Sequence, residues 1–294
     1  MSSPKSPLYV LPFDEVRHDV PTSDSATAVV YEWGGDGPPL FICHATGLHA
    51  HCYAPLVAVL RKHFSCYGLD ARGQGAARVP ATGEYAWTRI TDDVTGALDL
   101  LGLSGRGDVY GIGHSQGGFL IMSAAVRRPG TFAGLFAYEA VMFPPEFDGQ
   151  SVDNRMATMA RRRREVFDSK QAAYDNYREK PPLNGIDDNC LRAYVEWGFD
   201  ELDDGTARLT CRAETEALLF EGGRHSYLGL CAEVLCRTTV GLGDVSPGGF
   251  NVAVPLQAKT LPDGQLIEFP GRSHFGLLER VDDMAATIVE MFLG

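Results

Sequence analysis

The segment from residue 109 to residue 120 reads Val109-Tyr110-Gly111-Ile112-Gly113-His114-Ser115-Gln116-Gly117-Gly118-Phe119-Leu120. Its first residues are typical of a short buried strand, and the small and apolar residues that follow Ser115 are typical of a helix. Ser115 therefore lies at an abrupt turn from strand to helix. Gly113 and Gly117 stand two residues before and after it, where such a turn brings the backbone together and leaves room only for very small residues.

This spacing is the pattern G-x-S-x-G, which lifts a serine hydroxyl clear of a sheet. The first amides of the next helix, with the positive end of its dipole, then suit a developing negative charge on oxygen. Two other interpretations of the segment stay open. One is a glycine-rich turn with an incidental serine. The other is a dinucleotide-binding loop, because Gly111, Gly113 and Gly117 resemble a variant of that glycine fingerprint and Glu139 follows where a ribose-binding acid is expected.

The rest of the chain predicts strands and helices in alternation. Apolar runs that indicate strands end immediately before His44, at Asp70, before Ser115 and before Glu139. Alternation of this kind predicts a mostly parallel sheet with helices on both faces, an α/β fold. The carboxyl ends of parallel strands form the ligand-binding edge of such a sheet, so these four polar side chains are expected at one edge.

A serine hydroxyl becomes a good nucleophile only when a base takes its proton, and an acid must hold that base in one tautomer. His274 follows the last predicted strand, and Asp244 follows the strand before it. The chain order Ser115, Asp244, His274 differs from the orders found in the chymotrypsin and subtilisin folds. It indicates a triad at the edge of an α/β sheet.

With these residues in place, the chain resembles the α/β-hydrolase superfamily. The resemblance covers nearly the whole chain beyond its first twenty residues. It rests on five segments in the expected order: His44-Ala45-Thr46-Gly47, Asp70-Ala71-Arg72-Gly73-Gln74-Gly75, Gly113-His114-Ser115-Gln116-Gly117, Gly241-Leu242-Gly243-Asp244 and Gly271-Arg272-Ser273-His274-Phe275. It implies an α/β-hydrolase core over residues 1–143 and 224–294, with a helical cap inserted at 144–223.

The resemblance also implies the roles of individual residues. The oxyanion hole would use the amide of Gln116 and that of Thr46, with Ala45 as the alternative because Ala45 stands where relatives usually have glycine. The preferred acid is Asp244. Glu139 is the alternative, since some lactonases and haloalkane dehalogenases of the superfamily take their acid after the sixth strand. Dehalogenation itself is disfavoured, because those dehalogenases carry an aspartate where Ser115 stands.

Five residues are expected to line the substrate pocket: His44, His51, Met142, Phe143 and Trp197. The spacing His49-Ala50-His51 is also seen in zinc sites. No further acidic or cysteine ligands lie at telling distances in the sequence, so we predict neither a metal nor another cofactor. Asp70 and Arg72 are expected to tie down a loop after their strand.

Composition narrows the classes of partner. The formal net charge of −12 argues against nucleic acid and against an anionic membrane surface, both of which favour a basic face. No apolar run approaches the ~20 residues of a membrane span, and the N-terminus lacks the apolar centre of a secretory signal. The seven cysteines include no C-x-x-C pair, which favours free thiols. We expect a cytoplasmic monomer or homodimer.

The sequence thus predicts a cofactor-free serine hydrolase for a small-molecule substrate. An enclosed pocket under a cap favours a carboxylic ester or lactone of a small, fairly apolar molecule. Hydrolysis of an amide, a thioester or a carbon–carbon bond uses the same constellation and stays an alternative. A non-catalytic small-molecule binding protein on the same fold is a second alternative.

Overall fold

The computed structural model describes residues 6–22, 24–79, 83–147, 152–223, 227–246 and 248–294. Within these ranges an eight-stranded sheet forms the centre of the molecule, and a separate three-stranded sheet follows later in the chain. In chain order the strands are β1 (Val16–Pro21), β2 (Thr27–Gly34), β3 (Pro39–Cys43), β4 (Ser65–Asp70), β5 (Val109–His114), β6 (Phe132–Tyr138), β7 (Val166–Phe167), β8 (Phe199–Glu201), β9 (Ala207–Leu209), β10 (Arg237–Gly243) and β11 (Gly264–Phe269).

The large sheet has the strand order β1-β2-β4-β3-β5-β6-β10-β11. Strand β2 pairs antiparallel with both β1 and β4, and all the other neighbours pair in parallel. The carboxyl ends of β3, β4, β5, β6, β10 and β11 therefore meet at one edge. The predicted α/β fold with a mostly parallel sheet is confirmed.

Helices cover both faces of the large sheet. In chain order the helices are α1 (Ala54–Leu60), α2 (Trp87–Leu100), α3 (Gln116–Arg127), α4 (Val152–Arg161), α5 (Lys170–Arg178), α6 (Asp188–Gly198), α7 (Ala213–Gly222), α8 (Phe250–Thr260) and α9 (Val281–Leu293). Leu40 and Ile42 of β3 join a core with residues of α1 and α9, whereas Phe41 and Cys43 join the core that contains residues of α2, α3 and α8. The unbroken apolar run of β3 is explained by this burial on both faces.

Residues 144–223, which we call the cap segment, lie in the chain between β6 and β10. They contain α4 to α7 and the small antiparallel sheet β7-β9-β8, whose short strands the sequence patterns do not indicate. Tyr194 and Phe199 of this segment belong to the same buried cluster as Leu56 of α1. The cap segment therefore packs against α1, while its residues Cys211 and Leu219 join the core on the other face of the sheet.

The basic run Arg161-Arg162-Arg163-Arg164 is largely solvent-exposed, as a solvated face would be, but only its first residue is helical. Helix α4 ends at Arg161, and the other three arginines form the turn that leads to β7. Arg163 is turned inward, where its guanidinium donates to Glu216 Oε2 at 2.5 Å and to the Tyr194 hydroxyl at 2.6 Å.

Within the described ranges, no helix is both long enough and apolar enough to cross a bilayer.

Candidate active site

Ser115 occupies the turn between β5 and α3 with φ 55° and ψ −115°, a conformation that L-residues rarely adopt. The glycines on either side are sterically required. A Cβ on Gly113 would lie 2.4 Å from the carbonyl oxygen of Gly117, and a Cβ on Gly117 would lie 2.1 Å from that of Cys43. The Ser115 amide donates to the Tyr138 carbonyl at 2.9 Å, so the neighbouring strand β6 holds the strained turn in place.

His274 follows β11 and pairs with a carboxylate that follows β6. Its Nδ1 lies 2.6 Å from Oε2 of Glu139, whose side chain is completely buried. The other carboxylate oxygen, Oε1, accepts the amide of Gly243 at 2.8 Å. Because an ionised carboxylate can only accept, Nδ1 of His274 carries the hydrogen and Nε2 presents a lone pair. His274 is thereby held in the tautomer that a general base requires.

These contacts do not support the preference for Asp244 as the acid. The Asp244 side chain is exposed, and its Oδ1 accepts the amide of Gly271 at 2.6 Å, which fastens one turn to the next. Glu139, the residue directly after β6, instead has φ 44°, a left-handed conformation. This turn and the length of a glutamate side chain bring the carboxylate to His274. Glu139 is thus engaged at both oxygens, so it is not free to bind a ribose as the dinucleotide interpretation requires.

Amides that could stabilise an oxyanion come from two places. Gln116 is the first residue of α3, and the first amides of a helix have no partner within the helix. In the loop of residues 44–47, which we call the oxyanion loop, the Ala45 amide donates to the Tyr53 hydroxyl at 3.3 Å. The Gly47 amide donates to Gln74 Oε1 at 2.7 Å. These two bonds engage the amides on either side of Thr46, whose own amide has no hydrogen-bond partner among the described residues.

The oxyanion loop is also contacted from the cap segment. Gly47 has φ 78°, and a Cβ built on it would lie 2.5 Å from Oε1 of Glu216 in α7. Glu216 is nearly buried and forms an ion pair with Arg163. Arg163 compensates the charge of a carboxylate that would otherwise oppose an oxyanion close by. The cap segment and the oxyanion loop therefore meet through this pair.

His44 stabilises the oxyanion loop itself. Its Nδ1 donates to the Ala45 carbonyl at 2.8 Å, and its Nε2 accepts the amide of Ala71 at 3.1 Å. Burial lowers the pKa of His44, which keeps the ring neutral. With both nitrogens engaged, the ring connects the ends of β3 and β4 and has no nitrogen left for a substrate.

His51 and Trp197, both predicted to line the pocket, stack on each other with ring centroids 4.5 Å apart. Nε2 of His51 lies 2.9 Å from Oε2 of Glu15, and Trp197 also contacts the ring of Tyr9. Among the described residues, the other ring contacts of His51 and Trp197 are with Tyr9, Tyr31, Trp33 and His49, and none is with His274. These contacts give the two residues a packing role.

Phe143 is connected to His274 through a residue that the sequence patterns do not single out. The ring of Phe250 stacks on the His274 imidazole with centroids 4.8 Å apart and an interplanar angle of 24°. Phe143 packs against Phe250 at 5.4 Å. Met142, by contrast, is fully buried in the core. The sequence feature that could have indicated Phe250 is the helix start at Gly248-Gly249-Phe250, which follows the turn that carries Asp244.

The two histidines with zinc-like spacing have protein partners. Nε2 of His49 lies 3.0 Å from the Tyr194 carbonyl, and Nε2 of His51 faces Glu15. Within the part of the chain that the structure describes, no three His, Cys, Asp or Glu side chains are grouped as metal ligands would be. Asp70 makes loop contacts of the kind expected, since it accepts hydrogen bonds from the amides of Ala50 and Ala76. Arg72 likewise donates to Asp24 and Asp93.

Fold and site together describe an enzyme of the α/β type with a serine at a strand-to-helix turn. The model of the alpha/beta hydrolase family matches residues 40–287, and the chain belongs to this family. A succinate derivative hydrolase of Acinetobacter baylyi, (E)-2-((N-methylformamido)methylene)succinate hydrolase, is 30 % identical over 36 % of the chain and only 39 % of that protein. The chain thus spans well under half of that relative.

Longer matches are more distant. Pimeloyl-[acyl-carrier protein] methyl ester esterase of Chromobacterium violaceum is 25 % identical over 87 % of the chain and 94 % of that protein. Haloalkane dehalogenase 2 of Mycobacterium tuberculosis is 24 % identical over 88 % and 89 %. The crystal structure of E-2-(acetamidomethylene)succinate hydrolase superposes with a TM-score of 0.81 at 21 % identity, covering 94 % of this chain and 98 % of that one. The relatives are named hydrolases, esterases and dehalogenases, and the chain is an enzyme of their family.

Proposed function

We propose that this enzyme is a serine hydrolase that cleaves a carboxylic ester or lactone of a small, fairly apolar molecule. The observation that carries the proposal is the buried pair of Glu139 and His274, at 2.6 Å, on the sheet edge where Ser115 occupies a strained turn. Ser115 is the nucleophile, His274 is the base, and Glu139 orients the base. Glu139 replaces Asp244 in the triad because it is Glu139 that contacts His274.

The reaction follows from the tautomer of His274. Nε2 takes the hydroxyl proton as Oγ of Ser115 attacks the carbonyl carbon, and Glu139 stabilises the imidazolium that forms. The tetrahedral oxyanion accepts the amides of Gln116 and Thr46. Nε2 then gives its proton to the leaving alkoxide, which departs and leaves an acyl-enzyme. Water, deprotonated by the same nitrogen, attacks the acyl carbon. As the bond to Oγ of Ser115 breaks, Nε2 returns this proton to Oγ, which releases the acid and regenerates Ser115 and neutral His274.

The aromatic neighbours of the base support an apolar substrate. Phe250 covers one face of the imidazole, and Phe143 extends this surface to Phe147 of the cap segment. A half-buried aromatic surface beside a reacting carbonyl favours an apolar acyl or alcohol group, because burying it releases water from both partners. The proposed pocket lies between this surface, the oxyanion loop and the cap segment.

Amide hydrolysis is the second candidate. The Acinetobacter relative, which shares 30 % identity over its matched part, and the enzyme of the superposed crystal structure are both named as hydrolases of amide-substituted succinates. The same residues would serve, with Nε2 of His274 protonating an amine leaving group instead of an alkoxide. A substrate panel must therefore include amides beside esters and lactones.

The test is intact-mass spectrometry after treatment with a fluorophosphonate, on the wild type and on Ser115→Ala. We expect one adduct on the wild type and none on the variant. Kinetics on nitrophenyl esters, lactones and nitroanilides of matched acyl groups then separate the two candidates through kcat/KM. A folded wild type that forms no adduct and cleaves none of these compounds would contradict the proposal and favour a binding protein.

A further inference from the structure

Two buried side chains connect the oxyanion loop with the backbone of His274. The Tyr53 hydroxyl lies 3.3 Å from the Ala45 amide and 2.7 Å from Nδ1 of His114. Nε2 of His114 lies 2.7 Å from the carbonyl oxygen of His274. Tyr53 and His114 are both completely buried. Since His114 is also the residue before Ser115, the connection includes the nucleophile turn, the base and the oxyanion loop.

The directions of these three hydrogen bonds are fixed by their ends. The Ala45 amide can only donate, and the His274 carbonyl can only accept. Nε2 of His114 must therefore carry the hydrogen, which leaves Nδ1 as an acceptor for the single proton of the Tyr53 hydroxyl. Tyr53 then has its oxygen lone pairs for Ala45. No other arrangement of protons on a neutral His114 satisfies all three bonds.

A neutral His114 is expected in this setting. Burial lowers the pKa of His114 well below its ordinary value, and the neighbouring His274 lowers it further. The pKa of the Tyr53 hydroxyl is raised by burial, so it keeps its proton as a donor. His114 and Tyr53 therefore both have the protonation states that the directions of the hydrogen bonds require.

From this geometry we infer that Tyr53 and His114 are positioning residues for catalysis. They hold the His274 backbone and the oxyanion loop in one fixed relation to Ser115. Because Tyr53 engages the Ala45 amide, the neighbouring Thr46 amide is the one left for the oxyanion. This inference rests on the proposed function, since it assigns the two residues to the machinery of Ser115 and His274. Small displacements of such groups cost large factors in rate.

Tyr53→Phe removes one hydroxyl and leaves the ring in place. Tyr31→Phe is its matched control, because Tyr31 is also buried and its hydroxyl donates to Oδ2 of Asp70 at 3.2 Å. We expect Tyr53→Phe to lower both kcat and the rate of fluorophosphonate labelling about tenfold or more, with KM changed by less than about twofold. The control should stay within about twofold of the wild type in both rates, with a Tm close to that of Tyr53→Phe.

A pair of substitutions at His114 separates its two bonds. The amide of His114→Gln reaches the Nε2 position and can still donate to the His274 carbonyl, whereas His114→Asn reaches only the Nδ1 position and loses that bond. We expect the Asn variant to be labelled about tenfold more slowly than the Gln variant. This comparison also tests the inference if Tyr53→Phe does not fold.

Coupling provides the final test. If Tyr53 and His114 act through one continuous series of hydrogen bonds, the double variant Tyr53→Phe with His114→Asn should be labelled no more slowly than the slower single variant. Rate losses that multiply, or labelling of Tyr53→Phe as fast as Tyr31→Phe, would overturn the inference while leaving the proposed function in place. A wild type that the fluorophosphonate does not label would remove both.

Discussion

Replacing Glu139 by glutamine should reverse the tautomer of His274. Oε1 of Glu139 accepts the Gly243 amide at 2.8 Å, and only the carbonyl oxygen of a glutamine can take over that bond. The amide nitrogen of the glutamine then faces Nδ1 of His274, where the carboxylate oxygen now lies at 2.6 Å. Two donors cannot meet there, so the imidazole must carry its hydrogen on Nε2. That nitrogen can no longer accept the proton of Ser115.

We expect Glu139→Gln to lower kcat by about 10³- to 10⁴-fold, the size of loss that a wrongly held tautomer causes in serine proteases. This corresponds to about 4 to 5.5 kcal/mol of transition-state stabilisation. The assay is kcat on the best nitrophenyl ester together with the rate of fluorophosphonate labelling. Asp244→Asn is the control, and its exposed side chain should leave both rates within about twofold.

The reasoning would be refuted if Glu139→Gln kept more than about a tenth of the wild-type rate while remaining folded. It would also be refuted if Asp244→Asn lost as much activity as Glu139→Gln. The second result would return the acid to the position that the sequence favours.

Three further predictions concern the turn, the aromatic cover and acid stability. Gly117→Ala should lower the free energy of unfolding by about 3 kcal/mol and abolish fluorophosphonate labelling, because its Cβ would lie 2.1 Å from the Cys43 carbonyl oxygen. The control Gly229→Ala places its Cβ in open space and should unfold in urea like the wild type. Phe250→Leu removes a ring stacked on the imidazole base and should lower kcat about three- to tenfold, and an unchanged kcat would exclude a role for this contact. Burial lowers the pKa of His49 from near 6.5 to about 4, so the unfolded chain binds this proton first as the pH falls. The stability contribution of neutral His49 is full above about pH 6.5 and should fall by about 1.4 kcal/mol per pH unit between about pH 6.5 and pH 4. Urea titrations should find this slope reduced in His49→Asn.

The fold and the strand-to-helix turn at Ser115 could be predicted because both leave patterns in the sequence. The spacing of Gly113 and Gly117 around Ser115 is a local pattern, although the contact that restricts Gly117 comes from the Cys43 carbonyl of a neighbouring strand. An apolar run such as that of β3 likewise indicates a strand buried on both faces. The choice of acid could not be predicted in this way. Asp244 and Glu139 both follow strands, and only the left-handed backbone at Glu139 and the pairing of β6 with β10 decide which carboxylate reaches His274.

The predicted pocket shows the same division. Their position in the chain predicts His44 and His51 near the site. The ring of His44, however, bonds within its own loop and to Ala71, and that of His51 contacts Trp197 and Glu15. These partners are distant in sequence, so no pattern around the histidines indicates them. Phe250 was missed for the same reason, because its contact with His274 depends on how α8 begins.

The contact between Glu216 and the oxyanion loop limits how specificity could be changed. Mutant libraries that vary the cap segment to admit new substrates would normally include the residues of α7 as pocket-lining positions. Residue 216 lies against Gly47, however, and its charge is balanced by Arg163. If the proposed function holds, we therefore expect a change at either position to alter stabilisation of the transition state as well as the pocket. Variation of the cap segment with these two positions held constant should alter which substrate is chosen, whereas variation that includes them should alter how fast every substrate reacts.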